Sequence, residues 1–172
     1  MVVREDRKEQ IINAAVGIFA ELGYYKTTTA MVAKASGVTQ PYVFHFFKSK
    51  EELFKAVIDR AVQRLYDVFI QVEASGDLIL ESMGQAFKDL MRANRAEMLM
   101  VLQAPAISEP EIRRHMSEKF ALIHTTIVRK FEESGVDEVE TAAGNFMAIG
   151  LLIVTSDVLQ LPEMLPFKDL NC

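Results

Sequence analysis

The chain has 172 residues, half of them apolar and a quarter charged, which is the composition of a folded globular protein and excludes a disordered one. The single cysteine, Cys172, excludes a disulfide framework or a cysteine metal site within the chain and favours a cytoplasmic location. The net charge of −5 is uneven, because residues 1–50 hold seven Lys/Arg against four Asp/Glu and residues 51–172 hold twelve against twenty. A basic head on an acidic body predicts that only the head meets a polyanion.

The first predicted element is a helix from Arg4 to Leu22, because apolar residues recur there at helical spacing and make one broad stripe. Gly23 is its natural end, since glycine tolerates the left-handed backbone that follows many helices. Helical spacing continues through the chain, and no segment alternates as a strand would. We therefore expect an all-α protein.

Two short helices are predicted next, between about residues 28 and 47, with a tight glycine turn between them. Thr27 or Thr28 can cap the first helix, and Thr39 can cap the second. A longer helix followed by two short ones across a tight turn is the plan of a helix-turn-helix. Residues 1–50 are therefore predicted to form a three-helix head.

A long connecting helix is predicted after the head. Ser49 and Glu52 form the S-x-x-E pattern of a helix start, and no proline or glycine occurs from Glu51 to Ser75. We assign residues 51–76 to this helix.

The remaining residues, 77–172, are predicted to form a helical bundle that binds a ligand and dimerises. Proline or glycine bounds most of its segments, and Asp137 with Glu140 forms a variant of the capping pattern. The expected helices are 77–94, 96–103, 108–134 and 137–161.

The last of these helices is apolar or small around most of its circumference. Its uncharged run, from Thr141 to Ser156, is too short to span a bilayer comfortably, so we expect no membrane partner. A helix that is apolar on nearly all sides must be covered on nearly all sides, and a second copy of the chain would cover it in a four-helix bundle. The alternative is a central core helix in a monomer. The predicted dimer interface comprises Ala142, Ala143, Phe146, Ile149, Gly150 and Ile153.

The acidic body is rich in methionine, whose flexible thioether suits an adaptable apolar pocket. The alternative is ordinary filling of the core. The residues predicted to bind a small hydrophobic effector are Met83, Phe87, Met91, Met98, Leu102, Met116, Phe120 and Met147.

Catalysis is not predicted, because no nucleophile with a matching base, glycine-rich phosphate loop or H-E-x-x-H pattern occurs. We expect no enzyme, no catalytic residue and no cofactor. Glu111, His115 and Glu118 lie one turn apart, with His124 after them, and this spacing can build a metal site. Helices rich in Glu, Arg and His produce the spacing by chance, so a solvated face with salt bridges is preferred and no metal is expected.

The segment GYYKTTTAMVAKASGVTQPYVFHFFKSKEELF resembles the DNA-binding signature of the tetracycline-repressor (TetR) family. The resemblance covers about residues 5–60, and its strength lies in the order and spacing of several features together. These features are Gly23-Tyr24, Val32-Ala33, Gly37-Val38-Thr39, Phe44, Phe47 and Lys50.

The second short helix departs from the pattern common in that family. Gln40-Pro41 stands where members often have Lys-Gly, Phe44 where they have Tyr, and Phe46 where they have His. The recognition helix therefore contains no lysine or arginine.

The resemblance implies which side chains face DNA, and residue chemistry agrees with it. Threonine hydroxyls and helix-start amides suit phosphate oxygens, lysine supplies charge, and glutamine can pair with adenine. Phe44 and Phe47 are expected in the core instead, since large aromatic side chains dominate small cores. The predicted DNA-binding residues are Thr28, Thr29, Thr39, Gln40, Pro41, Tyr42, His45, Phe46, Lys48 and Lys50.

The function that the resemblance implies is a ligand-responsive transcriptional repressor. Such a protein binds palindromic double-stranded operator DNA as a homodimer, and a small apolar effector in the body releases it. The alternative is a helical ligand-carrier or interaction protein whose helix-turn-helix is vestigial.

Overall fold

Residues 2–76 and 78–166 are described by the structure, a computed structural model of the chain. Asp77, the predicted start of one helix, and Cys172 lie outside these residues. The described residues contain α-helices, two short 3₁₀ turns and no strand, which confirms the predicted all-α class. The helices are α1 (Val2–Lys26), α2 (Thr29–Ala35), α3 (Gln40–Phe46), α4 (Lys50–Gln71), α5 (Leu78–Ala93), α6 (Arg95–Gln103), α7 (Pro110–Ser134) and α8 (Val139–Leu159).

Short-range polar contacts set where α2 and α4 begin. The Thr28 hydroxyl accepts a hydrogen bond from the Met31 N–H at 3.2 Å, and the Ser49 hydroxyl accepts one from the Glu52 N–H at 3.1 Å. The Glu52 carboxylate in turn accepts from the Lys48 N–H at 2.8 Å. Since the first turn of a helix leaves its amides without intrahelical partners, these contacts fix both helix starts at the predicted positions.

Two other predicted caps do not form. Thr39 occupies the N-cap position of α3, but its hydroxyl makes no capping hydrogen bond. The N-cap of α8 is Glu138 rather than Asp137, and Glu138 adopts left-handed backbone with φ of 46°. Gly135, at φ of 76°, ends α7, so the tight reversal that follows it determines where α8 begins.

The head and the connecting helix share one aromatic cluster. Gly23 interrupts α1 with φ of 72° and ψ of 173°, and this bend lets Tyr24 fold back toward α4. There Phe54 packs edge-on against Phe19 and Tyr24, with ring centroids 5.0 and 5.1 Å apart. Because Phe54 belongs to α4, the predicted head of residues 1–50 does not close its core without the connecting helix.

The body has its own aromatic centre at the other end of α4. Phe146 of α8 packs edge-on against Phe69 of α4 and Phe131 of α7, with ring centroids 5.7 Å apart in both pairs. α4 also contacts α5, α6 and α7. The same helix is therefore a core element of both halves of the chain.

We expect Phe54→Ala to lower the free energy of unfolding by about 3–5 kcal/mol, because it empties the centre of the shared cluster. Phe44→Ala is the matched control, since Phe44 is exposed and its loss should cost under about 1 kcal/mol. Urea unfolding monitored by circular dichroism measures both values. Equal losses for the two variants would contradict the assignment of Phe54 to the core.

Candidate nucleic-acid interface and effector cavity

The surface of α3 is the first candidate site. Val43 and Phe47 point into the core together with Val32 and Ala33 of α2, and Gly37 makes the turn between the two helices with φ of 66°. This packing fixes α3 against α2, which in turn packs against α1. The opposite side of α3 is consequently held in one orientation toward solvent.

The exposed side of α3 is aromatic. Tyr42 is 39% exposed, its ring stacks on His45 with centroids 6.2 Å apart, and it meets Phe46 edge-on at 5.4 Å. Phe44 is 44% exposed, so the expectation that it belongs to the core is wrong, whereas Phe47, 3% exposed, is a core residue as expected. Phe44 is exposed because α3 is short and its inward face is occupied by Val43 and by Phe47, the residue that ends the helix.

The predicted DNA-binding residues of α2 and the turn fall into two groups. Thr28, Thr39 and Pro41 are exposed at the starts of α2 and α3. Thr29 is buried, and its hydroxyl accepts a hydrogen bond from the Gln40 side-chain amide at 2.9 Å. Gln40 is thus exposed but also ties α3 to α2.

Lys48 and Lys50 lie in different surroundings. The Lys50 ammonium donates a hydrogen bond to the Tyr24 carbonyl at 2.9 Å and lies 4.3 Å from the centre of the Tyr24 ring. Burial, followed by the nearby carboxylates of Glu109 and Glu51, raises the pKa of Tyr24 to about 12, so its ring stays neutral. Lys48 is exposed, and no described residue pairs with its ammonium.

The second candidate site is an apolar cavity of about 70 Å³ in the body. It lies between α4, α5, α6, α7 and α8, and no charged side chain lines it. Its walls are formed by Leu65, Phe69, Phe87, Met98, Val101, Leu102, Phe120, Ile123, Ile127, Phe146, Met147, Gly150, Leu151 and Val154.

The predicted effector residues divide between this cavity and the core. Phe87, Met98, Leu102, Phe120 and Met147 line the cavity. The other three predicted residues are buried elsewhere, namely Met83, Met91 and Met116. Sequence reasoning missed the walls supplied by α4 and most of those supplied by α8, because it started from methionine content rather than from which helix faces meet.

The predicted dimer residues lie on the inward half of α8. Ala143 and Ile153 are buried within the chain, Phe146 packs in the aromatic centre of the body, and Gly150 lines the cavity. Ala142 and Ile149 are half-buried and face a groove beside α5. The side of α8 that remains exposed is instead formed by Thr141, Gly144, Ala148, Leu151 and Val158.

α8 stands out among the described helices because its length and apolar composition would also allow it to cross a membrane, and only 22% of the relevant stretch is buried in the chain. Its neighbour α7 exposes Ala121, Leu122 and Thr125. Both helices therefore leave weakly polar residues uncovered by the described part of the chain.

The carboxylate and histidine residues of α7 do not converge on one point. Glu111 and Glu118 both pair with Arg114, at 2.6 and 2.9 Å. The hydrogen bond and the positive charge of Arg114 lower the pKa of Glu111. His115 lies 2.9 Å from Asp59 of α4. Within the described part of the chain no three such residues gather as a metal site would require.

The N-terminal part of the chain matches a known protein family. Residues 11–57 match the model of the tetR family of bacterial regulatory proteins. The chain is 22% identical over 158 residues to the HTH-type transcriptional activator FasR of Mycolicibacterium smegmatis, covering 90% of this chain and 71% of that protein. It is 38% identical over 60 residues to the regulator YhgD of Bacillus subtilis, an alignment that spans 35% of this chain and 31% of that relative.

Solved structures share the whole fold. GusR of Salmonella enterica superposes with a TM-score of 0.76 at 23% identity, covering 91% of this chain and 86% of that one. AibR in complex with isovaleryl coenzyme A and operator DNA gives 0.71 at 18% identity, covering 87% and 86% of the two chains. FadR of Bacillus subtilis in complex with stearoyl-CoA gives 0.69 at 21% identity, covering 88% and 87%.

Proposed function

Because the chain belongs to the tetR family of transcription regulators, we propose that it is a ligand-responsive repressor that binds palindromic operator DNA as a homodimer and is released by a small apolar effector. The observation that carries the proposal is the exposed side of α3, held rigidly at the surface of the basic part of the chain. A regulator of this kind works beside the chromosome, so we place it in the cytoplasm.

The chemistry of α3 supports reading of base edges rather than attraction by charge. Tyr42, Phe44 and His45 offer rings and hydrogen-bonding groups, and apolar ring edges suit the thymine methyl group. Positive charge comes from outside α3, since Lys34 in α2 and Lys48 after α3 are both exposed. Phosphate contacts from these lysines would position α3 in the major groove.

A second copy of the chain is required by the small size of α3. Seven residues of helix extend only about 10 Å, which reaches a few base pairs, so proteins with one such helix read two half-sites as a symmetric pair. The exposed sides of α7 and α8 suit an isologous contact, because small residues such as Gly144 and Ala148 let a partner helix approach closely.

The cavity supports an effector with an apolar tail. A cavity without charged walls cannot compensate a charged group, so such a group has to stay outside it. The similar folds solved with isovaleryl coenzyme A and stearoyl-CoA make acyl chains the first class to test. At about 70 Å³ the cavity is about half the ~150 Å³ that admits benzene, so any longer chain must move the walls apart.

DNA binding is tested by gel shift at several salt concentrations on the duplex immediately upstream of the coding sequence of the chain. Lys48→Ala should reduce the slope of log affinity against log salt by about 1.8, because each of the two protomers loses one phosphate contact and each contact contributes about 0.9. Lys50→Ala should reduce the slope less, since Tyr24 already holds that ammonium. Tyr42→Ala should weaken binding at every salt concentration with an unchanged slope.

Lys88→Ala on α5 is the control for these variants and should bind DNA like the wild type. A wild-type chain that shows no salt-dependent shift on any upstream duplex would favour a ligand-carrier with a vestigial helix-turn-helix.

The dimer is tested by placing a charge on the exposed side of α8. Ala148→Arg should give a folded monomer that no longer binds operator DNA, because a guanidinium cannot be buried unpaired between two helices. Gln85→Arg, on the exposed side of α5, should remain dimeric. Sedimentation at micromolar concentration separates the two, and a monomeric wild type would overturn the proposed dimer.

Effector binding is tested by thermal unfolding with stearoyl-CoA, isovaleryl-CoA and coenzyme A alone. At 100-fold excess over Kd, a bound acyl-CoA should raise Tm by about 5–10 °C, and coenzyme A alone should not. Leu102→Phe, which fills the cavity, should remove the shift, whereas Leu80→Phe outside the cavity should preserve it. An equal shift with coenzyme A alone would place the binding site elsewhere.

A further inference from the structure

A buried carboxylate joins α6 to the connecting helix. Glu97 of α6 is only 5% exposed, and its side chain lies between two arginines of α4. Arg60 approaches it at 2.7 Å and Arg64 at 3.2 Å. A buried charge is tolerated only when opposite charges surround it, so Glu97 constrains the position of α6 relative to α4.

The same arginine reaches the head. The Arg60 guanidinium also contacts the carboxylate of Glu9 and donates a hydrogen bond to the Asn13 side chain at 2.7 Å, and both residues belong to α1. One guanidinium therefore adds a polar link between α6 of the body and the first helix of the head, which also pack directly against each other. α1 in turn packs against α2, which positions α3.

The α6 end of this connection lies in the cavity wall. Met98, Val101 and Leu102 follow Glu97 on α6 and line the cavity. Because the cavity has to enlarge to hold more than a very small molecule, α6 is one of the walls that must move. Any such movement carries Glu97 with it.

The network has little tolerance for displacement. The Arg60 Nε and one Glu97 carboxylate oxygen are buried without an aligned hydrogen bond. A shift of α6 would move the buried Glu97 carboxylate further from Arg60, and buried polar groups of this kind favour discrete arrangements over continuous ones. The network is buried only at its Glu97 end, since Arg60 meets Glu9 and Asn13 at the surface. A second contact between head and body, that of the Tyr25 hydroxyl with Ser108 and Glu109, is exposed throughout.

We propose that Glu97 is a positioning residue that transmits the state of the cavity wall to the head through Arg60. The proposal rests on the proposed function for its biological meaning, but the coupling itself exists whether or not the effector and operator are as proposed. Enlargement of the cavity moves α6, the Glu97–Arg60 contact breaks or shifts, and the polar contact of Arg60 with α1 is displaced with it. The orientation of α3 changes as a result.

The test is a double-substitution cycle that needs neither effector nor operator. Val101→Phe enlarges a side chain in the α6 wall and perturbs the packing of that wall without any ligand. Deuterium uptake by peptides covering residues 6–16 of α1 is measured by mass spectrometry in the full chain. The four proteins are the wild type, Val101→Phe, Glu97→Gln and the variant with both substitutions.

With Glu97 present, Val101→Phe should accelerate uptake in α1 by about fivefold or more, the lower end of usual coupling between sites. With Glu97→Gln, Val101→Phe should leave uptake in α1 unchanged. Equal acceleration in both backgrounds, or none in either, would overturn the proposal. Absence of DNA binding or acyl-CoA binding in other experiments would not affect the measured deuterium uptake. Failure of the proposed function and failure of the coupling through Glu97 are therefore distinguishable.

Tyr25→Phe supplies the matched control, because it also removes a contact between head and body. The response to Val101→Phe should persist in that background, and its loss there would show general loosening rather than transmission through Glu97. If Glu97→Gln alone does not fold, Arg60→Gln combined with Glu97→Gln removes both buried charges and should abolish the response equally.

Discussion

The helix α4 has to bury apolar side chains in both halves of the chain at once, and the remaining structure depends on this constraint. Phe54 near its start lies among the rings of the head, and Phe69 near its end packs against Phe146 in the body. Since protein interiors are close-packed, neither end of α4 can move without displacing neighbours of its own. The orientation of α3 is therefore linked to the body through α2, α1 and α4, which pack against one another in that order.

The contacts between head and body differ in how easily water can replace them. The Tyr25 hydroxyl contacts lie at the surface, where water offers nearly equivalent hydrogen bonds. The Glu97 carboxylate is buried between arginines and has no such substitute. The buried contact lies directly beside the cavity, which gives the body a way to influence the head without altering the packing of α4 as a whole.

Local signals in the sequence predicted the helices well, because a helix start is determined by a few neighbouring residues. Ser49 with Glu52 and Thr28 form the expected caps, and Gly37 makes the expected turn. The exposure of Phe44 could not be predicted from local signals, since it depends on which face of a seven-residue helix packs against the neighbouring helices.

The faces of α8 could not be predicted for a related reason. A helix that is apolar on nearly all sides has no periodicity to show which side its own chain covers. Of the residues predicted for the dimer interface, Ala143 is buried within the chain, whereas Ala142 and Ile149 are half-buried beside a groove. The Arg60–Glu97 contact was also inaccessible, because it joins residues far apart in sequence that carry no local pattern. Lys50 illustrates the same limit, since its capture by the Tyr24 carbonyl depends on the bend at Gly23.

Selection of DNA fragments from a random pool by the full chain tests the central claim most directly, because it assumes no operator sequence. A symmetric pair of recognition helices predicts an enriched motif with two-fold symmetry, whose half-sites are separated by about one helical turn of roughly 10 base pairs. Enrichment of an asymmetric motif would contradict the paired arrangement. Absence of any enrichment would contradict sequence-specific DNA binding by α3.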